Sequence, residues 1–284
     1  MSQSRPPRHL VGLIGSAIQA SRTPALHEKE AAAHGIRLCY QLIDLDRIDG
    51  AAAALPRVLD SAELLGFTGC NVTHPCKQSV IEHLDSLSED AAAIGAVNTV
   101  LFDKGRRIGY NTDWWGFAEN FRRGLPGASM NSAVQIGAGG AGAAIAYALL
   151  KLGVKRLALN DSADCRAATL GAHLAKHFGA GHAVAVDDIK RAIAEADGLI
   201  NSTPVGMLGH PGLPVPAEVL RADLWVAEIV YFPLETELLK SARAAGCRTL
   251  DGGGMAVFQA AKAFELFTGR VADPDRMLRH FATM

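Results

Sequence analysis

A glycine-rich hexapeptide is the candidate binding motif with the clearest chemistry. Residues 137–142 are Gly137, Ala138, Gly139, Gly140, Ala141 and Gly142, which satisfy the pattern G-x-G-x-x-G. They follow an apolar stretch typical of a strand and open an uncharged stretch typical of a helix. In that setting the first glycine permits a tight turn, the second lets the backbone approach a pyrophosphate, and the third lets helix and strand pack closely. The helix amino end supplies N–H donors to the anion. The alternative is a glycine-rich turn that holds no ligand.

An acidic residue follows this loop at a suitable distance. Asp161 ends the next apolar stretch, close to the offset of about 20 residues expected for a carboxylate that binds ribose. Such a carboxylate accepts hydrogen bonds from both ribose hydroxyls and repels a 2′-phosphate. No Arg or Lys lies immediately beside Asp161, so the sequence favours NAD over NADP. Arg166 leaves the choice open, because its side chain could reach a phosphate, stack on adenine or face solvent.

Three polar clusters lie beside predicted strands in the first half of the chain. They are residues 71–77 (Asn-Val-Thr-His-Pro-Cys-Lys), 98–99 (Asn-Thr) and 111–113 (Asn-Thr-Asp). Taken singly, each is more typical of turns and helix caps. Together, Lys77 and Asp113 offer an amine and a carboxylate that could move a proton beside a hydride acceptor.

Three histidines have a spacing that resembles a metal site. His173 and His177 are four residues apart on a predicted helix, and His182 lies nearby. No cluster of carboxylates or cysteines joins them, and the apolar stripe of the same helix leaves these histidines at its rim. We therefore predict a solvated helix face and no metal site.

Composition limits the class of partner. The 284 residues are 49% hydrophobic and 20% charged with a net charge of -1, as in an ordinary globular protein of two domains. This balance gives no electrostatic signal for nucleic acid or an anionic membrane. Residues 124–150 lack charge, but Pro126, the polar Asn131, Ser132 and Gln135 and the many glycines favour a strand, turn and helix over a membrane span. The charge balance therefore favours a small-molecule partner, whereas the five cysteines, which contain no C-x-x-C pair, favour a reducing, cytoplasmic location.

Hydrophobic patterning predicts an α/β protein. In the first half, strands are predicted at residues 10–14, 38–45, 67–72, 99–102 and 107–110, and helices at 24–34, 51–65 and 76–84. Alternating strands and helices imply a parallel sheet, whose carboxyl edge is where ligands bind. Pro24 suits the first turn of its helix, and Thr23 is expected to cap it.

The second half restarts the alternation and predicts a doubly wound parallel sheet of the Rossmann type. Strands are predicted at residues 133–136, 156–160, 183–186, 199–201 and 225–230, and helices at 141–152 and 166–178. The amphipathic stretch 255–267 has no strand after it, so we expect this helix to return to the first domain. The predicted domains are residues 1–112 for substrate, 113–251 for the dinucleotide, and a returning segment at 252–284.

The ordered motifs together resemble the shikimate and quinate dehydrogenase family over about residues 12–269. The matching segments are residues 21–24 (Ser-Arg-Thr-Pro), 71–77, 94–99, 111–113, 137–142, 201–207 (Asn-Ser-Thr-Pro-Val-Gly-Met) and 251–260. Members of that family have an amino-terminal substrate domain and a dinucleotide domain that face each other across a cleft. The resemblance therefore supplies the substrate class, a ring acid such as quinate or shikimate, that the residues alone leave open.

The resemblance also implies roles for individual residues. Lys77 and Asp113 would be the catalytic pair, with Lys77 exchanging the hydroxyl proton while hydride passes to the nicotinamide. The substrate carboxylate would be held by Ser21, Thr23 and Tyr231, and the ring hydroxyls by Thr73, Asn98, Asp113 and Gln259. Residues 137–142 would hold the pyrophosphate, and the nicotinamide would be lined by Ile229, Gly252 and residues 203–207, Thr203 and Val205 among them.

Two departures from the biosynthetic pattern favour one branch of the family. The chain has Ser-Arg-Thr at 21–23 where biosynthetic enzymes usually have Ser-x-Ser, and Asn-Asp-Ser at 160–162 where they usually have Asn-Arg-Thr. Both features resemble the NAD-using quinate/shikimate dehydrogenases, so we expect NAD-dependent oxidation of the C3 hydroxyl. A biosynthetic shikimate dehydrogenase and a catalytically silent ring-acid sensor remain as alternatives. The oligomeric state stays open, and a homodimer is allowed.

Overall fold

A computed structural model describes residues 8–163 and 165–284. The chain forms two compact units, one of residues up to Thr112 together with Val257–Met284, the other of Asp113–Ala256. The strands are β1 (Arg8–Gly15), β2 (Arg37–Asp44), β3 (Gly69–Val72), β4 (Ser86–Leu87), β5 (Thr99–Asp103), β6 (Arg106–Tyr110), β7 (Ser132–Ile136), β8 (Arg156–Asn160), β9 (Ala183–Ala185), β10 (Gly198–Asn201), β11 (Trp225–Glu228) and β12 (Arg248–Leu250). The α-helices are α1 (Thr23–Ala33), α2 (Leu55–Leu64), α3 (Glu89–Ile94), α4 (Asp113–Gly124), α5 (Gly140–Leu152), α6 (Arg166–Phe178), α7 (Ile189–Ala194), α8 (Glu237–Ala244), α9 (Gly253–Thr268) and α10 (Pro274–Phe281).

The first unit contains a mixed sheet, so the expectation of a parallel sheet in this half was wrong in part. The strand order is β2-β1-β3-β5-β6-β4. Strands β1, β2 and β3 are parallel, whereas β5 is antiparallel to both β3 and β6. A two-residue turn at Lys104 and Gly105 joins β5 to β6, and both residues have positive φ (51° and 73°). This turn closes a hairpin, because two left-handed residues match the twist of paired strands.

Two local expectations also need correction. The predicted helix at residues 76–84 is a 3-10 segment at Ser79–His83, in which the Ile81 amide donates to the Gln78 carbonyl (3.2 Å), while the Lys77 carbonyl accepts from the Val97 amide (2.8 Å). Thr23 does not cap α1. The helix already includes Thr23, and the capping position falls on Arg22, which makes no side-chain cap bond.

The last two helices pack in the first unit, which confirms the expected return of the terminal helix. Phe264 of α9 and Met277 and Phe281 of α10 share one apolar cluster with Leu26 of α1. A buried carboxylate reinforces this packing, since Glu30 accepts from Arg276 Nε at 2.8 Å.

The charge on Glu30 is held by several donors. Burial raises the pKa of this carboxyl, but hydrogen bonds from Arg276, Asp273 and His34 outweigh that effect, so its pKa lies below the usual range. A buried ion pair of this kind leaves an uncompensated charge when one partner is removed. Glu30 and Arg276 therefore tie the carboxyl-terminal helix to α1.

A buried histidine in this unit makes stability depend on pH. His27 is fully buried, and neither ring nitrogen has a hydrogen-bond partner among the described residues. Burial lowers its pKa from 6.5 to about 3, against the opposing effect of Glu30. Because the folded-state pKa of His27 is lowered, its contribution to stability is fully present above the unfolded-state pKa. That contribution is lost as the pH falls towards the folded-state pKa.

We therefore expect His27→Leu to remove a low-pH weakness. The unfolding free energy of the variant minus that of the parent should rise by about 2 to 3 kcal/mol when the pH is lowered from about 7 to about 4.5. Urea unfolding at the two pH values measures this gain. An equal loss of stability with pH in parent and variant would assign the acid sensitivity to other groups.

The second unit has the predicted doubly wound parallel sheet. Its strand order is β12-β11-β10-β7-β8-β9, and every pair is parallel. The order reverses between β7 and β10, and in open α/β sheets ligands bind beyond the strand carboxyl ends at that point. Helices α7 and α8 and strand β12 were not predicted. No helix among the described residues is long and apolar enough to cross a bilayer.

Candidate active site

The glycine loop lies at the point where the strand order of the second sheet reverses. It follows β7, and residues 202–207 follow the adjacent β10. The two segments are joined by Ser202, whose hydroxyl donates to the carbonyls of Ile136 and Gly137 (both 2.8 Å). Gly137 has a φ of 98°, so this turn requires a residue that tolerates the left-handed region.

The glycines of the loop differ in the space around them. A Cβ at Gly142 would lie 2.4 Å from the Gly137 carbonyl oxygen, whereas a Cβ at Gly139 would meet no atom of the described residues within 4 Å. Gly142 is thus needed for packing within the protein. Gly139 is not, which fits a position where the backbone must admit an external group. Helix α5 begins at Gly140, so its amino end faces the same place with N–H donors.

Asp161 follows β8 and is bound to the glycine loop. Its Oδ2 accepts from the Ala138 amide (2.7 Å) and its Oδ1 accepts from the Ala163 amide (2.8 Å). Arg166 lies 3.9 Å from the carboxylate and is 62% exposed. An exposed, distant arginine adds little to this arrangement, so the backbone amides fix the position of the carboxylate.

The candidates for lining the nicotinamide lie on two neighbouring segments. Thr203 Oγ1 donates to Asn201 Oδ1 (2.7 Å) and accepts from the Val205 amide (3.1 Å), which orders the segment after β10. A Cβ at Gly252 would lie 2.4 Å from the Ile229 carbonyl oxygen, so these two backbones are in close contact. Tyr231 follows in the same segment as Ile229 and is 38% exposed.

A buried carboxylate that the sequence analysis missed lies beneath these segments. Glu228 ends β11 and is 1% exposed. Burial raises its pKa to about 7, although hydrogen bonds from Asn201, Val230 and Thr236 favour the charged form. No sequence signal distinguishes this glutamate, since it stands at the end of an apolar strand.

In the first unit, two predicted carboxylate-binding residues lie together before and within the first turn of α1. Ser21 Oγ donates to Thr23 Oγ1 (3.1 Å), and the Thr23 amide donates to Ser21 Oγ (3.3 Å). Thr73 follows β3, and its carbonyl accepts from the Cys76 amide (2.8 Å), which turns the chain towards the half-buried Lys77.

Asn98 is the centre of a buried polar network in this unit. Its Nδ2 donates to Thr112 Oγ1 (2.9 Å), and its Oδ1 accepts from the Thr112 amide (2.7 Å). Thr112 Oγ1 in turn donates to Gln259 Oε1 on α9 (3.5 Å). Asp113, which follows Thr112 directly, is the first residue of α4 and is buried. The network thus gathers Asn98 and Gln259 and fixes the residue before Asp113.

Two members of this network were not predicted as site residues. Tyr40 Oη donates to Asn71 Oδ1 (2.7 Å), and Asn71 Nδ2 donates to Thr99 Oγ1 (2.9 Å). Asn71 begins the motif at residues 71–77, which was a usable signal. Tyr40 has no such sequence signal, because in the sequence it looks like one more apolar residue of strand β2.

The three histidines of the second half do not form a site with further ligands. The rings of His173 and His177 are 6.0 Å apart, and His182 contacts the Lys155 carbonyl. Among the described residues, no group of three or more potential metal ligands was found.

Comparison with known proteins adds independent information. Residues 13–100 match the model of the shikimate dehydrogenase substrate binding domain, and residues 252–280 match that of the shikimate 5'-dehydrogenase C-terminal domain. A shikimate dehydrogenase (NADP(+)) of Streptomyces avermitilis is 55% identical over 97% of this chain and 96% of its own length. A quinate/shikimate dehydrogenase (NAD(+)) of Corynebacterium efficiens is 47% identical over 97% and 98%.

Among solved structures, the quinate dehydrogenase from Corynebacterium glutamicum in complex with NAD is similar to this chain. It has a TM-score of 0.93 and 46% identity, and the match covers 98% of this chain and 100% of that one. Identity at this level over the full length, with both units included, is shared by members of one family. The chain therefore belongs to the shikimate dehydrogenase family.

Proposed function

We propose that this protein catalyses the NAD-dependent oxidation of the C3 hydroxyl of quinate, shikimate or both to the 3-dehydro acid. The observation that carries the cofactor assignment is the position of Asp161, whose carboxylate is fixed against the glycine loop by two backbone amides. A negative charge held there favours ribose hydroxyls and disfavours a 2′-phosphate.

The relatives do not decide the cofactor by identity alone. The relative at 55% identity is named for NADP(+), and that at 47% is named for NAD(+). The cofactors in the two names differ by the 2′-phosphate, which Asp161 would repel. This one residue is therefore a better guide to the cofactor than overall sequence identity. Arg166 remains the candidate for any use of NADP.

The cofactor would be held by the second unit. Residues 137–142 would bind the pyrophosphate with backbone amides, because the open position at Gly139 and the start of α5 suit an anion. Thr203, Val205, Ile229 and Gly252 would line the nicotinamide, which accepts the hydride when bound.

The substrate would be held mainly by residues of the first unit. Ser21 and Thr23, with Tyr231, would bind the carboxylate through hydroxyl donors, and Thr73, Asn98 and Gln259 would bind the ring hydroxyls. Lys77 would exchange the proton of the reacting hydroxyl as hydride leaves the carbinol carbon, and Asp113 would be its partner. The Asn98 network supports these roles, since it orders several of the proposed groups before substrate arrives.

Thr23 is expected to affect the choice of ring acid. Quinate carries a tertiary hydroxyl on the carbon that bears its carboxylate, and shikimate has a flat alkene carbon there. The threonine hydroxyl is restricted in rotation and is bonded to Ser21, so it is a fixed partner for the crowded end. We expect Thr23→Ser to lower kcat/KM for quinate more than for shikimate, by roughly 1 kcal/mol.

Steady-state rates on both acids test this, with the exposed Thr169→Ser as the matched control. A quinate-to-shikimate ratio that is unchanged or higher in the Thr23 variant would rule out this residue as the determinant.

The proposed reaction itself is tested by product analysis. The protein is incubated with NAD⁺ and either quinate or shikimate, and the products are identified by mass and by NMR. We expect the 3-dehydro acid and reduced cofactor in equal amounts. Binding of either acid without turnover would instead support a ring-acid sensor.

A further inference from the structure

Glu228 organises the two segments of the second unit that the proposed function assigns to the nicotinamide. Both of its carboxylate oxygens accept from Asn201 Nδ2 (3.0 Å each). The same Asn201 nitrogen donates to the Val205 carbonyl (2.9 Å), and Asn201 Oδ1 accepts from the Thr203 amide (3.1 Å). The amide of Asn201 therefore links the carboxylate to the backbone of residues 203–205.

The same carboxylate also holds the second segment. Its Oε1 accepts from the Val230 amide (3.0 Å), and its Oε2 accepts from Thr236 Oγ1 (3.2 Å), the residue that caps α8. A Cβ built on Gly206 would lie 3.3 Å from the Thr236 Cβ and 3.9 Å from Oε2, so the loop after β10 passes close to both side chains. The donors that reach the carboxylate among the described residues are all uncharged.

We propose that Glu228 is a positioning residue for the nicotinamide: through Asn201 and Val230 it fixes the two backbone segments that line the ring, and so sets the affinity for that half of the cofactor. This inference rests on the proposed function. A carboxylate is suited to the role because it only accepts, and every group that faces it donates.

Glu228→Gln tests the role with little change in size. The NH2 group of the glutamine would place a donor opposite the donors of Asn201, Val230 and Thr236. The two segments that line the proposed nicotinamide site are therefore expected to move, while the glycine loop is unaffected. The exposed Glu218→Gln in the same unit is the matched control.

Calorimetric titration with NAD⁺ and with ADP-ribose separates the two halves of the cofactor, because ADP-ribose lacks the nicotinamide. We expect Glu228→Gln to weaken NAD⁺ binding on the order of tenfold and to change ADP-ribose binding by less than about twofold. Equal weakening of both ligands would show general damage to the unit, and no change in either would show that the carboxylate does not position the segments. Both results overturn the proposal. If the unmodified chain does not bind NAD⁺, the proposed function fails instead.

The pH dependence of NAD⁺ binding gives a second test, which does not depend on the folding of the Glu228 variant. Protonation would make Glu228 a donor among donors, so the NAD⁺ dissociation constant should rise relative to that of ADP-ribose as the pH falls through about 7. The neighbouring charged residues Glu235 and Glu237 are exposed and paired with Arg243 and Lys240.

His210 also lies on the loop after β10, where its carbonyl accepts from the Gly206 amide. The titration is therefore repeated in His210→Gln. A ratio of dissociation constants that stays flat from about pH 6 to about pH 8, or that loses its pH dependence in His210→Gln, would contradict the role of Glu228.

Discussion

Replacing Lys77 with alanine is expected to lower kcat by roughly 10² to 10⁴, the usual effect of removing a positioned general acid or base. Lys77 is half-buried, and its carbonyl accepts from the Val97 amide, a backbone bond that the substitution leaves in place. Binding of NAD should be nearly unchanged, because the proposed cofactor residues belong to the other unit.

Lys29→Ala, an exposed lysine on α1 of the same unit, is the matched control. Steady-state kinetics with saturating NAD⁺, together with calorimetric binding of NAD⁺, separate loss of chemistry from loss of affinity. Turnover close to that of the parent in the Lys77 variant would remove this residue from the mechanism.

The second large effect is expected from Asp161. In the double variant Asp161→Ser with Ser162→Arg, the repelling carboxylate is replaced by a hydroxyl and a cation is added beside it. Preference should move towards NADP by about 1 to 2 kcal/mol or more, which is roughly tenfold or more in the ratio of kcat/KM values. The serine hydroxyl can still accept one of the two amides that Asp161 holds, so folding should be retained.

Arg166→Ala in the parent background distinguishes the alternative determinant. If the parent already prefers NADP and this variant abolishes that preference, Arg166 binds the phosphate and the role given to Asp161 is wrong. If NADP use is unchanged by Arg166→Ala, the exposed guanidinium is not a cofactor group.

The parts of the fold that sequence could predict are those governed by local patterns. The alternation of strands and helices and the glycines at 137–142 predicted the doubly wound second sheet, because Gly137 and Gly142 meet local steric demands. Gly142, for example, has no room for a Cβ. The amphipathic stretch 255–267, which no strand follows, predicted a returning helix, and the structure places Val257–Met284 with the first unit.

The features that could not be predicted depend on contacts between distant residues. The Lys77 carbonyl accepts from Val97, twenty positions away, where an α-helix would have bonded it to Ile81, and the predicted helix is a 3-10 segment. The antiparallel pairing of β3 with β5 likewise follows from the sheet and not from the local pattern of either strand. Thr23 failed as a cap because the helix starts one residue earlier than its proline suggests.

The candidate site shows the same division. Polar residues that directly follow or precede a strand, such as Asn98 and Asp161, could be selected from sequence because of where the strands end. Tyr40 and Glu228 could not, since both read as positions within strands, and only the neighbouring strands bring Asn71 and Asn201 to them.

The central claim, NAD-dependent oxidation of a ring acid, is tested most directly by initial rates for quinate and for shikimate, each with NAD⁺ and with NADP⁺. We expect turnover of at least one acid, with kcat/KM for NAD⁺ exceeding that for NADP⁺ by about tenfold or more, as expected when a fixed carboxylate faces the ribose hydroxyls. A preference for NADP⁺ with both acids, or the absence of turnover with either acid and either cofactor, would contradict it.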